Sequence, residues 1–297
     1  MVKSNRAEGS IKKTRPIMKV IRYCVIVIIL AVFLLPVVFI FGGSFKTQSE
    51  FYDVAPSLFP KEPTLENYIS AFGGEKTGTT TGFTAKGRLT KGIKDSLLIS
   101  VVVTLLTMMI AIPASYSLAR YKPGGDQISF FILSILFLPP VIGVLPLFFI
   151  FKTVGILDTY LVLFISHLFF DLPFCIWITK GFFEDIPLEL EQAVMVDGYS
   201  RFRVFFKIAV PLAKSGIAVA SLFAFIFSWN ELMFSSIFTR SNVQTLPLVL
   251  QDYIGSAGIS WGELLAVASI AAIPGILLAI FMQRYIVRGL TFGAVKG

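Results

Sequence analysis

Charge, cysteine and histidine are all scarce in this chain. Of its 297 residues only 15% are charged, two are cysteines and one is a histidine, whereas a soluble domain carries about 25% charged residues. Cys24 and Cys175 lie far apart, each inside an apolar stretch. That arrangement excludes a disulfide framework and makes both cysteines expected packing residues. With a single histidine and no cluster of cysteines or carboxylates, neither a metal centre nor an enzyme active site is expected. A phosphate-binding G-x-x-x-x-G-K-[ST] loop is also missing: the nearest string, GGEKTG from Gly73, lacks the spacing, so the chain is not expected to hydrolyse nucleotides or to bind a cofactor. The net charge is +8, but no soluble basic domain stands outside the apolar runs, and nucleic acid is not an expected partner.

What the chain has in abundance is apolar length. It is 55% hydrophobic, with a mean hydropathy of +0.80. Six runs approach or exceed the roughly 20 residues needed to cross a bilayer core as a helix: 23–45, 96–119, 127–151, 159–179, 215–239 and 264–283. Open strands leave backbone groups unpaired in lipid, so the expected fold class is an all-α membrane protein with six transmembrane helices. Charge orients it, because short cytoplasmic segments are enriched in Lys and Arg. Seven basic residues precede the first run (Lys3, Arg6, Lys12, Lys13, Arg15, Lys19, Arg22), Arg120 and Lys122 follow the second, and Lys180, Arg201, Arg203, Lys207 and Lys214 follow the fourth. With Arg284, Arg288 and Lys296, that face holds 17 of the 26 basic residues. Both termini are therefore expected in the cytoplasm of a multi-pass bacterial inner-membrane protein, surrounded by lipid.

The resulting layout is a cytoplasmic arm (1–22), a first transmembrane helix (23–45), a long external loop (46–95), a core (96–290) containing a cytoplasmic loop (182–211), and a cytoplasmic tail (291–297). The first run exceeds an h-region of about 7–15 residues and lacks a small-x-small cleavage site, so it reads as a signal anchor. Pro56, Pro60 and Pro63, with the Gly- and Thr-rich 73–82, predict irregular structure in the external loop.

The cytoplasmic loop between spans four and five, IPLELEQAVMVDGYSRFRVFFKIAVP from Ile186 to Pro211, is amphipathic. Pro187 suits the first position of a helix, and Glu189 and Glu191 suit its positive end. Gly198 can take the left-handed conformation that closes such a helix, and Ser200 can cap a second, basic and aromatic one. The pair, exposing Leu188, Val194 and Met195, fits either an element lying on headgroups or a docking surface.

The spacing of this loop resembles the EAA motif of ABC importer permeases: Glu-Ala-Ala, three residues, Gly, nine residues, Ile-x-Leu-Pro. Around Gly198 these positions fall on Gln192, Ala193, Val194, Ile208, Val210 and Pro211. Gln192 stands for Glu, with Glu191 beside it, while Val194 replaces Ala and Val210 replaces Leu. The end of the chain, RYIVRGLTFGAVKG from Arg284, is similar to that of the inner maltose-type permease, and Ser228-Trp229-Asn230-Glu231 is similar to a stretch of span five in carbohydrate permeases.

The resemblance implies a type I ABC importer permease fold whose coupling helix lies between spans four and five. Contact with a cytosolic ATPase would involve Pro187, Leu188, Glu191, Gln192, Ala193, Val194, Met195, Asp197, Gly198, Ile208 and Pro211, together with the tail residues Gly293, Ala294, Val295, Lys296 and Gly297. ATP and Mg would sit on that ATPase, which is a separate chain. The other implied partners are a second permease, an external solute-binding protein that the 240–262 loop would probe, and a sugar or oligosaccharide.

Ionisable groups inside spans are costly and tend to line cavities or meet partners. Trp229, Asn230 and Glu231 combine an aromatic face with hydrogen-bonding groups, as a sugar pathway requires. His167 and Asp171, four apart and on one helical face, could pair with each other, line the pathway, or bond a neighbouring helix. From the residues alone, an ion-gradient-driven secondary transporter and an importer of a polyol or glycerol phosphate remain alternatives.

Overall fold

In the computed structural model the described residues are 16–53, 57–73, 88–255 and 258–294. They form thirteen α-helical segments: α1 Pro16–Gly43, α2 Glu66–Ala71, α3 Arg88–Arg120, α4 Gly125–Ile135, α5 Pro140–Val154, α6 Tyr160–Glu184, α7 Leu188–Val196, α8 Arg201–Val204, α9 Val210–Leu212, α10 Lys214–Trp229, α11 Met233–Phe238, α12 Leu246–Gln251 and α13 Trp261–Ala294. A π-helical turn over Phe205–Ala209 joins α8 to α9. The only strand pairing among the described residues is a short antiparallel hairpin, β1 Ile254–Gly255 with β2 Gly258–Ile259.

The bundle is built on α3, α6 and α10, which pack most extensively on one another, with α13 laid against α10. Small residues allow the close approach. Ala111 of α3 and Ala220 and Ala224 of α10 are fully buried and share a cluster with Cys175 of α6, as expected where helices pack without help from a hydrophobic effect between them. A second cluster joins Ile99 and Val103 of α3, Val162 and Leu163 of α6, and Phe234 and Phe238 of α11. Helix α1 stands apart: it contacts chiefly α13, and apolar side chains from Met18 to Phe39 project outward all round it. A helix apolar on every side belongs in lipid or against another chain.

Four helices are individually long and apolar enough to cross a membrane: α1, α3, α6 and α13. Counting two bent pairs as spans brings the total to as many as six. The expected 127–151 run is one of these pairs, α4 and α5, bent by 86°. Pro139 and Pro140 at the break supply no amide donors, and Pro140 opens α5 at the position where a missing donor costs least. The run expected at 215–239 is also interrupted. Its helix α10 stops at Trp229, the chain resumes as α11, and the α8–α9 segment meets α10 at 74°.

Two further boundaries move. Helix α3 begins at Arg88, eight residues before the apolar run, because Leu89 and Gly92 are buried against neighbours. The external loop also holds more structure than its composition predicts: Ser49–Tyr52 forms a 3₁₀ turn, and α2 is pinned to α13 by Tyr68 Oη to Ser269 Oγ at 2.9 Å and Ser70 Oγ to Glu263 Oε1 at 2.7 Å. Pro56, the Gly- and Thr-rich 74–82 and the arm 1–15 lie outside the described residues. Of the expected packing cysteines, Cys175 is buried, but Cys24 is exposed on α1, since no other described residue covers that face.

Candidate functional site: a latched helix pair and a buried polar cluster

The loop between α6 and α10 folds as its residues direct. Pro187 precedes α7 with φ −55° and ψ 130°, and Asp197 closes it. Gly198 follows with φ +86°. Its N–H bonds the Met195 carbonyl at 3.0 Å and the Tyr199 N–H bonds the Val194 carbonyl at 3.3 Å, the paired hydrogen bonds of a Schellman cap. A Cβ on Gly198 would meet open space, so glycine is needed for its backbone angle alone. Ser200 then caps α8, its hydroxyl accepting from the Arg203 N–H.

Helix α7 packs mainly against α8, and its buried acid ties it to the bundle. Glu191, 2% exposed, accepts from Arg120 Nε at 2.7 Å and from Tyr116 Oη at 2.7 Å. Arg120 Nη2 lies 2.7 Å from the same carboxylate and donates to the Ile186 carbonyl at 2.9 Å. The end of α3 is thus clamped to the start of α7 by a buried, fully engaged ion pair. Around it Gln192 and Ala193 are exposed, Val194 and Met195 half-buried, and Leu188, Leu190 and Val196 open to solvent. Val194 and Met195 are therefore less exposed than expected. Ile208 is half-buried and Pro211 exposed.

Arg120 and Tyr116 were not singled out from the sequence as partners of this loop. They lie 71 and 75 positions before Glu191, and only the basic residue at the end of a span gave any signal. Gly293 and Ala294 close α13 as backbone, and Val295, Lys296 and Gly297 lie outside the described residues.

Deeper in the bundle, a second group gathers where α10 breaks. His167 of α6 is 2% exposed. Its Nδ1 is 2.8 Å from Ser228 Oγ and its Nε2 is 3.4 Å from Glu231 Oε2. Glu231 also accepts from the backbone N–H groups of Phe234 at 2.7 Å and Ser235 at 3.2 Å, so one carboxylate caps α11 and faces the histidine. Of the roles open to His167 and Asp171, His167 takes the bond to a neighbouring helix and does not pair with Asp171. His167 turns to α10, and Asp171 Oδ2, though buried, has no hydrogen-bond partner among the described residues. Trp229 also departs from expectation: it is 4% exposed, stacked on Phe225, and its indole N–H donates to the Ala271 carbonyl at 3.0 Å. Its ring is occupied in packing and is not presented to a pathway within this chain, whereas Asn230 beside it is exposed.

On the opposite end of the bundle from α7, Asp158, at a left-handed φ of 59°, accepts from the backbone N–H groups of Arg240, Ser241, Asn242 and Val243 at 2.9–3.3 Å. Burial pushes its carboxyl up, but these amides outweigh it and hold the pKa below the usual carboxylate range.

Fold and site together define a class: a multi-span helical permease in which an amphipathic helix, carried on one end of the bundle, is clamped to the membrane helices. The model of the binding-protein-dependent transport system inner membrane component family matches residues 108–292, and the chain belongs to that family. It is 31% identical to the inner membrane ABC transporter permease protein YcjP of Escherichia coli over 93% of this chain and 95% of that one. It is 32% identical to the trehalose/maltose transport system permease protein MalG of Thermococcus litoralis over 89% and 92%. Among solved structures, a chain of a bacterial ABC transporter involved in import of the acidic polysaccharide alginate superposes with a TM-score of 0.71, at 18% identity, over 94% of this chain and 99% of that one. That likeness shows a shared fold. The chain is accordingly a multi-pass inner-membrane permease subunit of a binding-protein-dependent importer.

Proposed function

We propose that this permease carries a sugar or oligosaccharide, and that α7 is the lever through which a separate cytosolic ATPase drives it. The observation that carries the coupling role is the α7–Gly198–α8 turn, with its apolar edge exposed and its root clamped to α3 through Glu191. A lever must be rigid where it joins the load and free where it meets the motor, and this geometry has both properties. The sugar reading rests on relatives named for trehalose/maltose and for diacetylchitobiose uptake.

In this mechanism the α7 end of the bundle faces the cytoplasm, as do the arm and the tail. Binding of ATP and Mg closes a pair of ATPase subunits, and the clamped helices follow as rigid bodies. The bundle then passes between inward-open and outward-open states together with a second permease subunit. The bends at 136–139 and Ala213 and the break after Trp229 supply places where spans can reorient. Exposed Asn230 and half-buried Glu231 lie at the last of these breaks and are the candidates for lining the pathway, with buried His167 of α6 backing Glu231. An external solute-binding protein delivers the cargo to the 240–262 side, where Asp158 organises the loop.

The test is ATPase activity of the co-purified complex in liposomes with a loaded binding protein. Gly198→Pro and Ala193→Arg are expected to leave the membrane subunits assembled and to abolish stimulation. Unchanged stimulation in both would remove the coupling role. Uptake of labelled oligosaccharides against glycerol phosphate and polyols tests the cargo, and preference for either of the latter classes would overturn the sugar reading.

A further inference from the structure

Beside the clamp, an open cavity of about 520 Å³ lies between α3 and the α8–π-turn segment. Met109 and Tyr116 of α3 line it on one side and Phe202 and Phe206 on the other, with Tyr121 also in the lining. Its size falls within the range of about 300–1,000 Å³ typical of small-molecule sites. Several wall residues are far too exposed for a finished surface in water: Met109 is 71% exposed, Phe202 74% and Phe206 52%.

The lining contains a single charge, and it is positive. The Arg201 guanidinium sits 5.6 Å from the centre of the Tyr121 ring, at the cavity wall. Arg203, Lys207 and Lys214 follow within the next segment and are exposed, while no acid lines the space. The cavity also sits at a particular height. Its α3 wall, Met108 to Tyr116, occupies the last turns before Arg120, where the apolar span gives way to the polar end of the bundle.

We propose that this cavity is a binding site for an anionic phospholipid, with an acyl chain against Met109, Phe202 and Phe206 and the headgroup phosphate on Arg201. Apolar walls alone would accept any lipid. A single cation in the wall, beside the polar end of α3, favours a negative one, and basic pockets between membrane helices have this use elsewhere. A free phosphate would leave the apolar walls uncovered, so the occupant is the lipid and not its headgroup alone. Tyr116 belongs both to the cavity wall and to the Glu191 clamp, which places the lipid against the root of α7. The proposal concerns only the membrane-embedded chain and stands whether or not the cargo is a sugar.

The experiment is native mass spectrometry of the intact transporter complex titrated with phosphatidylglycerol or phosphatidylcholine, for wild type, Arg201→Gln, Arg201→Lys and Met109→Trp. Wild type is expected to retain phosphatidylglycerol preferentially. Arg201→Gln is expected to weaken that retention about fivefold, the equivalent of about 1 kcal/mol for one interfacial cation, and to weaken phosphatidylcholine less, because its phosphate is offset by its own ammonium. Arg201→Lys should restore it, and Met109→Trp, which fills the cavity, should reduce both lipids. Equal retention of the two lipids, or an Arg201→Gln variant indistinguishable from wild type, overturns the proposal. So does efficient cysteine cross-linking from position 109 to the second permease subunit, because the cavity would then be covered by protein. Inorganic phosphate competing as well as the lipid does would also overturn it.

Discussion

Replacing Glu191 by Gln keeps the size and shape of the side chain and removes the one charge that holds α7 to α3. Arg120 would then remain with its side chain only 8% exposed and without a counter-ion. Breaking a buried pair in this way costs about 3–5 kcal/mol, because the surviving charge is left uncompensated. Helix α7 has nine residues and packs mainly on α8, so this loss falls on the local docking of α7, with little effect on the bundle. A loss of about 3 kcal/mol in local opening energy raises amide exchange by roughly two orders of magnitude, at about 1.4 kcal/mol per factor of ten. Hydrogen exchange of peptides covering 188–197 in the assembled complex, compared with peptides from α6, measures this directly. The double replacement Arg120→Met with Glu191→Met should recover most of the protection, since an apolar pair of similar volume is close to neutral at such sites. Arg120→Met and Glu191→Met made singly form, with the double, a cycle whose coupling energy isolates the pair. Slow exchange in Glu191→Gln, or a double variant as poorly protected as the singles, would refute the clamp.

Gly198→Ala should destabilise the α7–α8 turn by about 1–2 kcal/mol, the cost of a left-handed backbone with a Cβ, with Gly198→Asn milder, as read by the same exchange measurement. Trp229→Phe, which loses the bond to the Ala271 carbonyl, should lower the melting temperature of the complex and leave solute preference in uptake assays unchanged. Glu231→Ala removes the cap of α11, worth about 0.5–2 kcal/mol, and should reduce transport while assembly, followed by co-purification, persists. The depressed Asp158 pKa contributes stability above the unfolded carboxylate value of about 3.9 and loses it as pH falls through the folded value. Asp158→Asn, which still tolerates the left-handed backbone, should therefore be less stable than wild type at neutral pH and converge with it below about pH 4, as followed by thermal unfolding across pH.

The architecture was legible where it depended on near neighbours in the chain. Apolar runs located α1, α3, α6 and α13, and Pro187, Gly198 and Ser200 sit at the boundaries of α7 and α8 because caps are chosen by local backbone chemistry. Spacing around Gly198 identified the family for the same reason. Hydrophobicity could not show where a span bends. The apolar run continues through Leu136–Pro139, and although Pro139 and Pro140 mark a break there, hydropathy carries no measure of its 86° angle.

Partners were the part that sequence left open. Glu191 carries the negative charge that the motif places at Gln192, but its ion pair reaches back to Arg120 across 71 residues, a contact that no periodicity encodes. His167 and Asp171 share a helical face, as spacing requires, yet α10 and the break after it supply Ser228 and Glu231 to His167 and leave Asp171 Oδ2 without a hydrogen bond among the described residues. Trp229 reads as a sugar platform in isolation and is a packing residue once α13 lies over it. Composition and spacing determined that this chain lives in a membrane, which segments carry its positive charge and where its amphipathic helices start and stop, because those properties are local or additive. Which charges meet, which rings are covered and where a cavity opens were decided only by helices brought together from distant parts of the chain.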